Sequence, residues 1–149
     1  MKIRISVSEE KFDLVSKYLT GHGVEISEDA EYVLSEASRY PAFLTVRDDK
    51  KDRMRLAAAE VIYVEAFGKE IEIHAAQGTY YALDRMYQLE SLLDPQEFLR
   101  ISKSVIISRK HVKKIRASLS MKYVLTLSDG TLVDVTRSYY NDFRKFFAI

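Results

Sequence analysis

Between Leu99 and Arg116 the chain carries seven Lys or Arg side chains and no Asp or Glu, whereas elsewhere its charges are mixed. The stretch from Asp94 to Val112, DPQEFLRISKSVIISRKHV, interleaves apolar and basic residues: Phe98, Ile101, Val105 and Ile107 against Arg100, Lys103, Arg109 and Lys110. This pattern suits a short stiff segment whose apolar residues fix it to a core while its cations meet an anionic partner. Phosphate contacts need scaffolded positive groups of that kind. The same spacing also describes solvated Lys and Arg on an ordinary surface, so the cluster alone leaves both readings open.

Other chemistries find little support. The chain has no cysteine, which excludes disulfides and thiolate metal sites. His22, His74 and His111 lie far apart, without metal-like spacing. Glu65, Glu70 and Glu72 could gather on one hairpin, but alternating strand charges are usually solvated. No Ser/His/Asp order and no phosphate loop appear, so no enzyme, cofactor or metal is expected. The start, MKIRISVSEE, alternates and turns acidic at once, unlike a signal peptide, and no apolar run reaches transmembrane length. A cytoplasmic protein without membrane insertion is the expectation.

The net charge of +1 hides an uneven distribution. Residues 1–55 carry ten basic and eleven acidic side chains, and residues 56–149 carry thirteen and eleven. A protein that coats nucleic acid indiscriminately would be more basic overall, so a focused footprint fits better. Ten Tyr and seven Phe with no Trp, scattered along the chain, suggest strand and core packing rather than a stacking platform.

The elements that must position these residues follow from periodicity and turn signals. Lys2 to Val7 alternates as a strand, and Ser8 can cap a helix through about Leu19 with Phe12, Val15 and Leu19 as its stripe. Gly21-His22-Gly23 ends it. Short strands at Val24–Ile26, Tyr32–Leu34 and Ala42–Val46 complete a small α+β, βαββ-like N-terminal unit of residues 1–50. A boundary is expected within residues 47–56, where DDKKDRMR forms an exposed turn or short helix. Glu60–Ala66 and Glu70–His74 read as a hairpin, Thr79–Ala82 as a strand, and Asp84 as the cap of a helix through Leu93. Asp94-Pro95-Gln96-Glu97 predicts a sharp turn, and Phe98–Ile107 an extended segment bent near Ser102–Ser104. Asp129-Gly130 joins strands Met121–Leu127 and Leu132–Val135, and Ser138 can cap a last helix faced by Tyr139, Phe143, Phe146 and Phe147.

Taken in order, these pieces resemble the LytTR family of DNA-binding domains over residues 56–149. The pieces that carry the resemblance are Val61–Lys69, the helix Met86–Leu93, Phe98–Ser108, Asp129-Gly130 and Thr136-Arg137-Ser138-Tyr139. The resemblance implies a mainly β fold: an elongated, antiparallel LytTR-like domain with short helices, preceded by the small N-terminal unit. It implies sequence-specific binding of double-stranded DNA, with loops reading successive major grooves at paired short repeats. Residues 1–55 are too short for a phosphoreceiver domain and lack its acidic pocket. The chain thus looks like the small stand-alone LytTR regulators, with the N-terminal unit expected to form a homodimer, bind a regulatory protein or stabilise the rest.

Carried over residue by residue, the resemblance gives Arg137 to the major groove, where arginine can bridge guanine O6 and N7. Lys103 takes the base-contacting position of a second segment, and Arg100 beside it a phosphate. Lys69 is the candidate in the first hairpin turn. Ser102 and Ser104 either donate to phosphate or brace the bend. Arg109 and Lys110, with Lys113 and Lys114, would supply steering charge. The chain departs from the family where Ser102-Lys103-Ser104 replaces the usual His-Arg-Ser or His-Asn-Ser, Ser108 replaces Asn and Thr136 replaces Ser. A protein–protein or anion-binding module on the same fold, without sequence-specific DNA recognition, is the alternative.

Overall fold

The alternating start forms β1 (Lys2–Ser6) in the computed structural model, which describes residues 1–36 and 40–149. It is the middle strand of a parallel sheet, flanked by β2 (Glu25–Ile26) and β3 (Tyr32–Ser35). Parallel neighbours need a crossover, and α1 (Glu9–Gly21) supplies it between β1 and β2. Ser8 stands at the N-cap, but its hydroxyl makes no capping bond. Its N–H donates to Glu36 Oε1 at 3.0 Å, and Glu36 Oε2 meets Lys11 Nζ at 3.4 Å. The Ser8 N–H, more than the Lys11 charge, holds the Glu36 carboxyl below its ordinary range. Gly23, at φ +81°, follows the helix in the left-handed region that glycine tolerates. No residue of α1 is buried, so the stripe of Phe12, Val15 and Leu19 is only partly covered.

The chain divides into two units, Met1–Ser38 and Arg39–Ile149. The second contains an antiparallel sheet of seven strands: β4 (Phe43–Arg47), β5 (Arg53–Ala57), β6 (Val61–Phe67), β7 (Glu70–Ala75), β8 (Gly78–Ala82), β9 (Phe98–Arg100) and β10 (Val105–Ser108). Their order across the sheet is β5-β4-β8-β7-β6-β10-β9. The strand expected at Ala42–Val46 therefore sits in this sheet and not in the N-terminal unit, and the break precedes residues 47–56. Packing explains it: Leu44 and Val46 are buried with Leu56, Val61 and Ile73. The charged run between β4 and β5 is a turn, in which Asp48 Oδ1 accepts the N–H groups of Lys50 and Asp52, both at 2.9 Å.

A second sheet, β11-β12-β13, is formed by β11 (Val112–Ser118), β12 (Lys122–Leu127) and β13 (Leu132–Val135). Two short helices complete the unit: α2 (Met86–Leu92) and α3 (Tyr140–Phe147). Every residue of β10 is buried, because a core lies on each side of it. Val105 and Ile107 join Tyr63, Leu125, Leu127, Val135 and Phe143, while Ile106 joins Val64, Ile73, Leu89, Leu93 and Phe98. At about 1.5–3 kcal/mol for each fully buried aliphatic side chain, these strands anchor whatever loops they carry. The chain is thus mainly β, with antiparallel sheets, short helices and a small mixed N-terminal unit.

Helix starts differ from expectation for local reasons. Asp84 does not cap α2. The Arg85 N–H donates to Gln88 Oε1 at 2.9 Å, and the helix begins one residue later. Ser138 lies within a single 3-10 turn, Arg137–Tyr139, and α3 begins after it. The Asp94 turn forms as predicted, with Gln96 N–H on Asp94 Oδ1 at 2.9 Å. At the β12–β13 turn, Thr131 N–H donates to Asp129 Oδ1 at 3.0 Å and Gly130 takes φ +86°.

Candidate nucleic-acid interface

Strand pairing decides which loops meet. Val105 of β10 lies opposite Glu65 of β6, and the Ala66 N–H donates to Ser104 O at 2.8 Å. The bend at Ile101–Ser104, between β9 and β10, therefore shares a sheet end with the β6–β7 turn at Gly68-Lys69. The C-terminal sheet adds a third loop. Thr136, just past β13, donates its N–H to Ile101 O at 3.0 Å and its hydroxyl to the same oxygen at 3.4 Å. Arg137 and Lys103 consequently spring from backbone no more than about 15 Å apart, a limit set by two residues of chain on one side and one on the other.

Side chains at this end divide into two kinds. Lys69, Lys103 and Arg137 are exposed, and among the described residues none has a side-chain hydrogen bond or ion pair. Arg137 in particular has no pairing with Asp134 or Asp142. Arg100, Ser102 and Thr136 are turned inward and hold the loops. Arg100 donates Nε to Ser102 O at 3.2 Å and Nη2 to Lys103 O, and its Nη1 meets Glu90 Oε2 at 3.2 Å. Buried Ser102 accepts the Ser104 N–H at 3.2 Å, and the two hydroxyls lie 3.4 Å apart. The bend that presents Lys103 is thus fixed by an arginine on its carbonyls and a serine on its N–H. Gly68, at φ +57°, lets the β6–β7 hairpin turn tightly beneath Lys69.

Arg109 and Lys110 stand elsewhere. They follow the other end of β10, four residues and about 14 Å along the strand. Arg109 is engaged within the fold: its Nε donates to Gln96 O at 2.9 Å, its N–H to Glu97 O at 2.7 Å, and its guanidinium lies 3.8 Å from the Phe146 ring centre. Lys110 is exposed on a 3-10 turn, beside His111. His111 Nδ1 is 2.7 Å from Ser128 Oγ, and burial, then the Lys110 and Lys113 charges, lower its affinity for a proton.

No group of His, Asp or Glu among the described residues is gathered closely enough to hold a metal ion, and no described helix is long and apolar enough to cross a membrane. Glu65 and Glu72 are cross-strand neighbours, and Glu72 Oε2 lies 3.1 Å from His74 Nε2.

The LytTr DNA-binding domain family matches residues 51–148. The chain belongs to the LytTR family. Its fold resembles a solved LytTr DNA-binding domain from Bacillus cereus, with a TM-score of 0.69 and 25% identity, covering 73% of this chain and 99% of that one. It is 28% identical over 108 residues to the transcriptional regulatory protein LytR of Staphylococcus aureus, 72% of this chain and 44% of that protein. It is 35% identical over 92 residues to the CO-responsive transcriptional regulator RcoM of Rhodospirillum rubrum, 61% of this chain and 39% of that protein. The chain thus spans less than half the length of these curated relatives. LytTR domains as a family bind DNA in transcriptional regulators, and the ordered motifs of the second half are that domain's.

Within the LytTR domain, Thr136 and Glu90 were not legible as parts of the site. Thr136 stood in the motif only as a replacement for Ser, and its bonds to Ile101 join segments 35 residues apart. Glu90 pairs with Arg100 across 10 residues, a spacing with no helical or strand signature.

Proposed function

We propose that this chain is a sequence-specific transcriptional regulator that binds double-stranded DNA through the loop cluster at Lys69, Lys103 and Arg137. One observation carries the reading. The exposed basic side chains at one end of the sheet, on three separate loops, lack internal partners, while Arg100, Ser102 and Thr136 are consumed in holding those loops. Arg137 then reads a guanine edge in one major groove, and Lys103 a base edge in the next. Lys69 holds phosphate or an adjoining base. Ser104, when its hydroxyl accepts from or turns away from Ser102, can donate to phosphate, whereas Arg100 and Ser102 act on DNA only by shaping the bend. Arg109 serves the fold, and Lys110 adds steering charge from a distance.

The reading extends to a cytoplasmic protein acting on paired short repeats, each of modest affinity, with linkage raising the total. The N-terminal unit supports dimer formation or capture of a regulatory protein. Tyr32, Val33 and Leu34 on β3 are all exposed, and among the described residues β3 is an edge strand with one side unpaired.

Selection of bound sequences from a random duplex pool at near-physiological salt tests this reading, followed by titration of the winner with wild type and Arg137→Ala. Enrichment of a repeated short motif, with loss of discrimination in the variant, is expected. Binding without enrichment would instead favour the interaction-module alternative on the same fold.

A further inference from the structure

Beside the β6–β7 turn, and lined in part by its Gly68 and Lys69, lies an open cleft of about 550 Å³. Its walls come from β6, β7 and the segment joining β8 to α2. Ala66, Gly68 and Ala82 are small, and their size leaves the space open between Ile71 and Met86. Two cations line it, Lys69 and Arg85, against one acid, Asp84. Arg85 is exposed, and among the described residues its side chain has no hydrogen-bond or ionic partner. Its backbone, in contrast, is fixed, because its N–H donates to Gln88 Oε1 and Leu89 of the same helix is buried in the core. A fixed backbone carrying an unpaired guanidinium differs from a Lys or Arg on a free loop, which would lose more conformational freedom on binding.

We infer that this cleft seats a backbone phosphate of the bound duplex, held between Lys69 and Arg85. The cleft adjoins the loop end where Lys103 and Arg137 stand, so a strand whose bases are read there can continue past it. The guanidinium fork matches two phosphate oxygens at once, and Lys69 supplies a point charge from the other wall. The contact carries no sequence information and fixes register, placing the reading side chains against their bases. Arg85 is thus a positioning residue that lies outside the basic run at Leu99–Arg116. The inference rests on the proposed DNA reading, and its test separates the two.

The measurement is the slope of log Kd against log salt for the selected duplex, with wild type, Arg85→Ala, Arg85→Lys and Arg137→Ala, all full chain. Release of counterions at one phosphate changes the slope by about 0.9. Arg85→Ala should lower the slope by about that amount and weaken selected and scrambled duplexes by the same factor. Arg85→Lys should restore the slope. Arg137→Ala should remove the preference for the selected duplex. An unchanged slope in Arg85→Ala, with Arg137→Ala still losing preference, overturns the phosphate seat alone. A changed sequence preference in Arg85→Ala also overturns it, since Arg85 would then read bases. No effect of Arg137→Ala would sink the DNA-reading mode itself. Thermal melts guard against misfolding, and the Arg85 variants should melt with wild type because the Gln88 bond uses the backbone.

Discussion

Replacing Arg100 with alanine should loosen the bend that presents Lys103 without removing a contact to DNA. The guanidinium makes hydrogen bonds to two carbonyls, Ser102 O and Lys103 O, and one ion pair to Glu90. A hydrogen bond from a charged donor contributes about 1.5–3 kcal/mol. The Arg100 side chain keeps 23% of its surface and Glu90 keeps 48%, so water can replace part of what is lost. The lower figure for each carbonyl bond gives about 3 kcal/mol, and the half-exposed ion pair adds at most about 0.5 kcal/mol. For a unit of this size each kcal/mol moves the melting temperature by about 4 °C, so Arg100→Ala should melt about 12–14 °C lower. If bound DNA must re-form the bend at a cost of about 2 kcal/mol, Kd rises about 30-fold. The slope of log Kd against log salt should stay unchanged, because Lys69, Lys103 and Arg137 remain. Glu90→Gln keeps both carbonyl bonds and should melt within about 2 °C of wild type. Differential scanning calorimetry and anisotropy titrations across salt measure both quantities. An Arg100→Ala variant that melts with wild type but loses about 0.9 from the slope would refute the reasoning, since Arg100 would then be holding a phosphate.

Arg109→Ala should lower stability by about 1–2 kcal/mol, through loss of the Phe146 stacking and the Gln96 bond, with specificity for the selected duplex unchanged in a competition titration. Phe143, fully buried with its ring 5.0 Å from Tyr123 and 4.8 Å from Phe147, should cost about 3–5 kcal/mol on truncation to alanine, seen in denaturant unfolding, and DNA affinity should fall with it because α3 follows the Arg137 turn. His111 titrates below its ordinary 6.5 in the folded chain, from burial first and then Lys110 and Lys113. Its neutral ring therefore contributes stability that is present above 6.5 and lost as pH falls through the depressed folded value, so melting temperature should drop as pH falls below 6.5, and less steeply in His111→Gln.

The strands of the second unit were legible because alternation, hairpin turns and an Asp-Gly pair are local signals. The sides they bury were legible too, since Phe98, Ile101, Val105 and Ile107 are core residues as expected. Helix starts were less so. Asp84 and Ser138 have the right side chains for caps, but a Gln88 side chain and a 3-10 turn compete for the same backbone groups. The placement of β4 depended on pairing with β8, some 35 residues downstream, which no local pattern carries. Among the basic residues, sequence could find the run but not sort it. Arg100 and Arg109 look like Lys103 until the carbonyls and rings they reach are placed by tertiary structure. Arg85 stood outside the run and gave no signal of its own.

β4 lies ahead of the matched span, residues 51–148, yet it sits between β5 and β8. Recombination that joined a new upstream partner at residue 51 would strip the middle from that part of the sheet. Both flanking strands would then show bare N–H and C=O rows, which invite pairing between chains. A functional crossover point falls before Phe43 instead. Exchange of upstream segments at that point would leave this sheet, and the loops its strands carry, intact.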